Sequence, residues 1–206
     1  MANRNVLTCG WFKVALVASF GLASVAFGAG AGGGAHPEKS APAPRLSSFV
    51  LNGARVWVGF SPNAGAQRLV LATILQARKT VLVQAYSCTN RKIIAALVSD
   101  AKRGVKVRVI ADKEDPSERD SCIPALLAAH IPVWLDEGAK IAHNKVMIVD
   151  SSYVLTGSFN FSWSAAHRNA ENVIVIASPH LAKIYTKDWF WRLGHSIRYY
   201  GERDHG

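Results

Sequence analysis

The segment His143-Asn144-Lys145-Val146-Met147-Ile148-Val149-Asp150 constrains this chain more than any other. It is short and apolar, with Gly138 upstream and Asp150-Ser151-Ser152 downstream, and that reads as a buried strand rather than a helix. Residues two apart share a face of a strand. His143 and Lys145 therefore point together into one pocket, while Val146 and Ile148 point into packing. Asp150 has the opposite parity and sits at the strand end. After a turn at Asp150 to Ser152, Tyr153 to Gly157 reads as a second strand. Ser158 and Asn160 again share a face, and Phe159 and Phe161 alternate with them as packing residues.

This pattern collects an imidazole, an ammonium, a hydroxyl and an amide in one place. An imidazole can attack phosphorus or move a proton near neutral pH. A lysine supplies fixed positive charge where phosphoryl oxygens gather negative charge. Ser158 and Asn160 can hydrogen-bond those oxygens, and Gly157 lets the backbone approach closely. No carboxylate or Cys/His cluster at metal-ligand spacing stands nearby, so neither a metal nor another cofactor is expected.

The pattern His143-x-Lys145-x4-Asp150-x6-Gly157-Ser158-x-Asn160 resembles the signature of the phospholipase D superfamily. From Val56 to about Trp191 the chain is similar to the small, single-motif bacterial endonucleases of that superfamily, the Nuc-type nucleases. Tyr86-Ser87, Gly104-Val105, Ile131-Pro132-Val133, Ala142 to Lys145 and Glu171-Asn172 carry the similarity. The resemblance implies a phosphodiesterase in which His143 attacks phosphorus and forms a phosphohistidine. It also implies two His-x-Lys motifs at one pseudo-two-fold axis. His36, His130, His167, His180 and His195 all lack a lysine two residues on, so the second motif is expected from a second copy of the chain, in a symmetric homodimer. The family's acidic residue beside the site falls on Glu171, the candidate for holding the other nitrogen of His143; an ordinary strand-end carboxylate is the alternative. Asp150 belongs to the signature, but its parity turns it away from His143, so it is expected to hold the turn or a backbone amide. Ser87 and Gln84 are placed at the pocket mouth or in core-edge packing. Arg168, Arg91-Lys92 and Lys102-Arg103 are candidate phosphate contacts or a solvated basic face.

Charge enters where substrates are compared. The formal charge is +10. Arg4 and Lys13 lie in the leader described below, so the remainder carries 10 − 2 = +8. A basic surface favours a polyanion, either nucleic acid or an anionic membrane. Two substrate classes follow, because both contain phosphodiesters. One is DNA or RNA, cleaved with little sequence preference. The other is a phosphatidylcholine-type lipid, hydrolysed to phosphatidic acid. No large apolar insertion interrupts the domain, which favours nucleic acid. A binding module with a degenerate site is disfavoured by the intact His143, Lys145, Ser158 and Asn160.

Along the chain, residues 1–30 read as a signal peptide, with Arg4 and Lys13 before an apolar run and small residues at Gly28 to Ala31; this implies a secreted or periplasmic protein. An uncleaved anchor is the alternative. Residues 31–50 form a Gly/Pro-rich linker. Residues 51–200 form one catalytic domain, and 201–206 a tail. Strands are expected at 55–60, 80–86, 105–111, 133–136 and 171–177, with helices at 65–79, 91–103, 121–130 and 179–195. Strands alternating with helices predict an α/β fold, a mixed β-sheet flanked by helices. Cys88 and Cys122 suit either a disulfide or two buried thiols. The aromatic run Trp189-Phe190-Trp191 suits either base stacking or the core face of the last helix.

Overall fold

A computed structural model of the chain describes residues 46–201. The expected signal peptide, the linker up to residue 45 and residues 202–206 lie outside the described residues. Nine strands form one mixed sheet: β1 Ser47–Leu51, β2 Ala54–Ser61, β3 Thr80–Ala85, β4 Lys106–Asp112, β5 Val133–Asp136, β6 Lys145–Val149, β7 Tyr153–Gly157, β8 Glu171–Ala177 and β9 Ser196–Tyr199. Their order across the sheet is β1-β2-β8-β7-β6-β3-β4-β5-β9. Only β3-β4 and β4-β5 pair in parallel; the other neighbours are antiparallel.

Helices α1 Ala66–Leu75, α2 Arg91–Lys102, α3 Ile123–Ala128 and α4 Trp163–His167 cover one face. Leu69, Val70, Ile93, Leu97, Ile123, Leu126 and Ala165 pack there on Val81, Val83, Met147, Val149 and Val175. Helix α5, Pro179–Leu193, covers the other face, where Ala182 and Trp189 pack on Leu82, Ile110, Val146, Ile148 and Val154. Period-two alternation thus splits β6 between two cores, with Met147 and Val149 on one side and Val146 and Ile148 on the other. The helix starts follow local chemistry. Asn90 accepts the amide protons of Lys92 and Ile93, Ser162 that of Ala165, and Ser178 that of Leu181, which satisfies donors with no partner inside the helix. The chain leaves α2 through Gly104 at φ 86°, the left-handed conformation that suits glycine after a helix.

Several boundaries differ from the sequence reading. Residues 47–50, read as the end of the linker, form with Leu51 an edge strand paired with β2. Helix α1 stops at Leu75 rather than Lys79, because the amides of Arg78 and Lys79 turn outward to the Asp150 carboxylate. Helix α3 is shorter than 121–130. Helix α4 and strand β9 were not expected; five and four residues are too few to show a period. The aromatic run divides by residue: Trp189 is buried and donates its indole N–H to the Val83 carbonyl at 3.0 Å, whereas Phe190 and Trp191 are exposed.

The topology gathers one set of strand ends. The C-terminal ends of β2, β3, β4, β5 and β7 and the N-terminal ends of β6 and β8 lie at the same edge of the layer, as the registers Ala85↔Lys145, Asp112↔Asp136, Gly157↔Val173 and Ser61↔Glu171 show. The carboxyl ends of strands in an open α/β sheet are where ligands bind.

Candidate active site

His143 lies in an extended segment just before β6, and its ring is exposed. Lys145 opens β6 and is only 6% exposed. The two meet on Tyr86, at the C-terminal end of β3. The His143 and Tyr86 rings are 4.5 Å apart between centroids, and the Lys145 Nζ stands 4.9 Å from the Tyr86 ring centroid. Lys145 Nζ also donates to the His143 carbonyl at 2.7 Å. Burial lowers the Lys145 pKa below the ordinary lysine value, and the Glu171 carboxylate opposes that shift. The ammonium is thus held against an aromatic face beside the imidazole with few solvent contacts, where its charge acts with little screening.

The backbone around His143 is tied on both sides. Upstream, the Ala142 amide donates to Asp112 Oδ2 at 2.6 Å. Asp112 ends β4 and is 2% exposed, and its other oxygen accepts the Glu114 amide at 3.0 Å. Downstream, the Tyr86 amide donates to the Asn144 carbonyl at 3.0 Å, and the Asn144 side chain donates to Gln84 Oε1 at 3.1 Å. Gln84 in turn donates to Asp188 on α5 at 3.1 Å. Asp112 was not singled out in the sequence. Its signal, a carboxylate at the end of a parallel strand, acquires meaning only when the loop before β6 is seen to cross it.

Ser158, Glu171 and Asn172 form a second cluster. Ser158 Oγ donates to Glu171 Oε2 at 2.5 Å and accepts the Asn172 amide at 3.1 Å. Asn169 Nδ2 fills Glu171 Oε1 at 3.1 Å. Gly157 makes the close approach possible: a Cβ there would stand 2.2 Å from the Asn172 carbonyl oxygen. Phe159 and Phe161 are buried in the core and fix the backbone between Ser158 and Asn160. Asn160 Oδ1 is buried with no hydrogen-bond partner.

Some expected members stand elsewhere. Within this chain Glu171 is held by Ser158 on one oxygen and by Asn169 on the other. Asp150 is not part of the site. It lies at the far end of β6, about 16 Å along the strand from Lys145 at the usual rise per residue, where it accepts the amides of Arg78, Lys79 and Thr80 at 2.9, 2.8 and 2.9 Å. Burial would raise its pKa; these three donors overcome that and lower it. Ser87 follows Tyr86 but donates to Glu118 at 2.7 Å. Arg168, beyond α4, lies over the exposed Trp163 ring at 4.8 Å. Cys88 and Cys122 are buried free thiols, and burial and the neighbouring Cys88 thiol hold the Cys122 thiol well above its ordinary pKa. Among the described residues, no group of three or more His, Cys, Asp or Glu side chains could hold a metal ion.

An exposed imidazole stands beside a buried ammonium at one edge of this mixed sheet, and the likenesses of the chain as a whole make it a phosphodiester hydrolase. The chain belongs to the phospholipase D superfamily: residues 70–193 match the family described as "Cardiolipin synthase, PLD-like domain". It is 41% identical over 142 residues to a protein named phospholipase D from Rickettsia prowazekii, covering 69% of each chain. A mitochondrial cardiolipin hydrolase of Xenopus laevis is 29% identical over 120 residues, 58% of this chain and 57% of that protein. Among solved structures, the phospholipase D family member Nuc from Salmonella typhimurium matches with a TM-score of 0.68 and 38% identity, over 72% of this chain and 99% of that one. NucT from Helicobacter pylori matches with a TM-score of 0.66 and 26% identity, over 71% and 99%. Among the described residues, no helix is long and apolar enough to cross a membrane.

Proposed function

We propose that this chain is a metal-independent endonuclease that hydrolyses DNA or RNA with little sequence preference. The observation that carries the reading is the exposed His143 ring with the buried Lys145 ammonium beside it. A polymer can reach such a site at the edge of the sheet without entering a closed pocket. The remaining charge of +8 and the likeness to Nuc and NucT support the same substrate class.

In the proposed cycle His143 attacks the phosphorus, a P–N bond forms, and the P–O bond to the leaving oxygen breaks. The partner's His143 gives that oxygen its proton. It then takes a proton from water, whose oxygen displaces the imidazole and releases the second product. Lys145 from each protomer stabilises charge on the non-bridging oxygens without a divalent ion. Ser158 and the Asn160 amide hydrogen-bond the same oxygens. A homodimer with a shared site follows from the single His-x-Lys motif, and the leader composition supports export to the periplasm or medium.

The names of the Rickettsia relatives favour a second reading, hydrolysis of phosphatidylcholine-type lipids. One experiment separates the two. Mature protein and His143→Ala are given plasmid DNA, single-stranded RNA and phosphatidylcholine vesicles, all with EDTA. Nicking by the unmutated protein alone supports the nuclease. Choline release without nicking supports the lipase, and a requirement for added Mg²⁺ refutes the metal-free cycle.

A further inference from the structure

Beyond Asn160 the chain enters α4, which presents Trp163 49% exposed. This indole is braced: the His167 ring lies 5.0 Å from it and the Arg168 guanidinium stands 4.8 Å over its ring. It forms part of the wall of a cleft of about 610 Å³, a volume within the range of small-ligand sites. Arg91, Lys92 and Arg119 also line this cleft, with Asp120 the single carboxylate in the lining, 3.7 Å from the Arg91 guanidinium. Thr89 and Asn90 connect the cleft to Tyr86 along the β3–α2 segment. Trp163 is three residues from Asn160 and Thr89 three from Tyr86, so each end of the cleft lies within about 11 Å of the catalytic cluster by chain reach.

We infer that this cleft is a subsite for a nucleotide flanking the scissile phosphodiester, with its base stacked on Trp163 and its phosphate met by Arg91, Lys92 or Arg119. The inference rests on the endonuclease reading and adds the element that would hold the strand. A half-open indole fixed by an imidazole and a guanidinium is pre-ordered for a flat ring. The three cations suit a phosphate, and Gln67 and Thr89 add polar residues to the lining. A membrane would need a contiguous apolar surface, and Trp163 is the one large exposed apolar side chain in this lining.

The test compares the unmutated protein, Trp163→Ala and Trp163→Phe on three substrates: a short labelled single-stranded oligonucleotide, bis(p-nitrophenyl) phosphate and phosphatidylcholine vesicles. The small diester fills the catalytic centre and has no flanking nucleotide to place in the cleft. Trp163→Ala should lose about 10-fold or more in kcat/KM on the oligonucleotide, at the scale of one lost base stack, with the small diester unchanged. Trp163→Phe should recover most of the loss, and Arg91→Glu should reproduce the Trp163→Ala profile. Unchanged oligonucleotide cleavage by Trp163→Ala overturns the subsite and leaves the endonuclease standing. Equal losses on both diesters, or a loss confined to vesicles, also overturn it. An unmutated protein that cleaves the small diester but no oligonucleotide sinks both readings.

Discussion

Replacing Asp150 separates an anchor from a catalyst. Asp150 is part of the signature motif, yet its carboxylate receives three backbone amides at the opposite end of β6 from Lys145. Hydrogen bonds to a charged group contribute roughly 1.5–3 kcal/mol each when shielded and much less in water. Two of these donors, Arg78 and Lys79, lie at the exposed surface, while the Thr80 amide is partly buried. About 1.5 kcal/mol for Thr80 and about 0.5 for each of the others gives about 2.5 kcal/mol for Asp150→Ala. For a domain of this size that is a fall in Tm of roughly 5 to 10 °C. Asp150→Asn keeps one oxygen and should lose about half as much. The folded pKa is lowered from 3.8, so the contribution is present above 3.8 and fades as pH falls through the lower folded value. The difference in Tm between the unmutated protein and Asp150→Ala should therefore shrink in strong acid. At temperatures below either transition, kcat/KM on bis(p-nitrophenyl) phosphate should stay within about threefold. A hundredfold loss of activity with an unchanged Tm would refute the anchor and return Asp150 to the catalytic group.

Asp112→Ala should lower kcat by about 10- to 100-fold with modest change in KM, because the Ala142 amide that sets His143 loses its acceptor; an unchanged kcat in steady-state kinetics would contradict this. Gly157→Ala should cost about 3 kcal/mol or more in urea unfolding, since its Cβ meets the Asn172 carbonyl oxygen at 2.2 Å across a strand pair that has little room to shift; a stable, active variant would show that the β7–β8 edge yields. Asp115 is buried, and burial followed by Glu118 raises its pKa from 3.8 to about 7. Its contribution to stability is therefore full below 3.8 and lost as pH rises through 7, with a ceiling of roughly 4 kcal/mol. Asp115→Asn should flatten the fall in denaturation midpoint between pH 5 and pH 8, and an identical fall in the variant would remove Asp115 as its source.

Much of the site was legible because it is local. The parity that sends His143 and Lys145 one way and Val146 and Ile148 the other needs only the two-residue repeat of a strand, and both sets lie where that repeat puts them. Phe159 and Phe161 obey the same alternation. The anchoring role of Asp150 was half legible: parity turned it from His143, but its partners lie some 70 residues away at the start of β3. The rest depended on contacts that no local pattern encodes. Asp112 gains its role from a loop 30 residues on. Glu171 gains its Ser158 partner from the turn through Gly157, a contact across 13 residues. Strand β1 was hidden because Ser47 and Ser48 follow a Pro-rich stretch, and its pairing with β2 supplies what its composition lacks.

That outermost strand has a practical consequence. Phe49, Val50 and Leu51 are largely open to solvent, and β1 occupies one flank of β2 along its first half. A recombinant chain begun at residue 51 would strip this cover and leave the amides and carbonyls of Ala54 to Val58 without their cross-strand partners. Such a bare margin invites a neighbouring molecule to lie alongside it, so preparations trimmed there should form aggregates that a chain begun at residue 46 avoids.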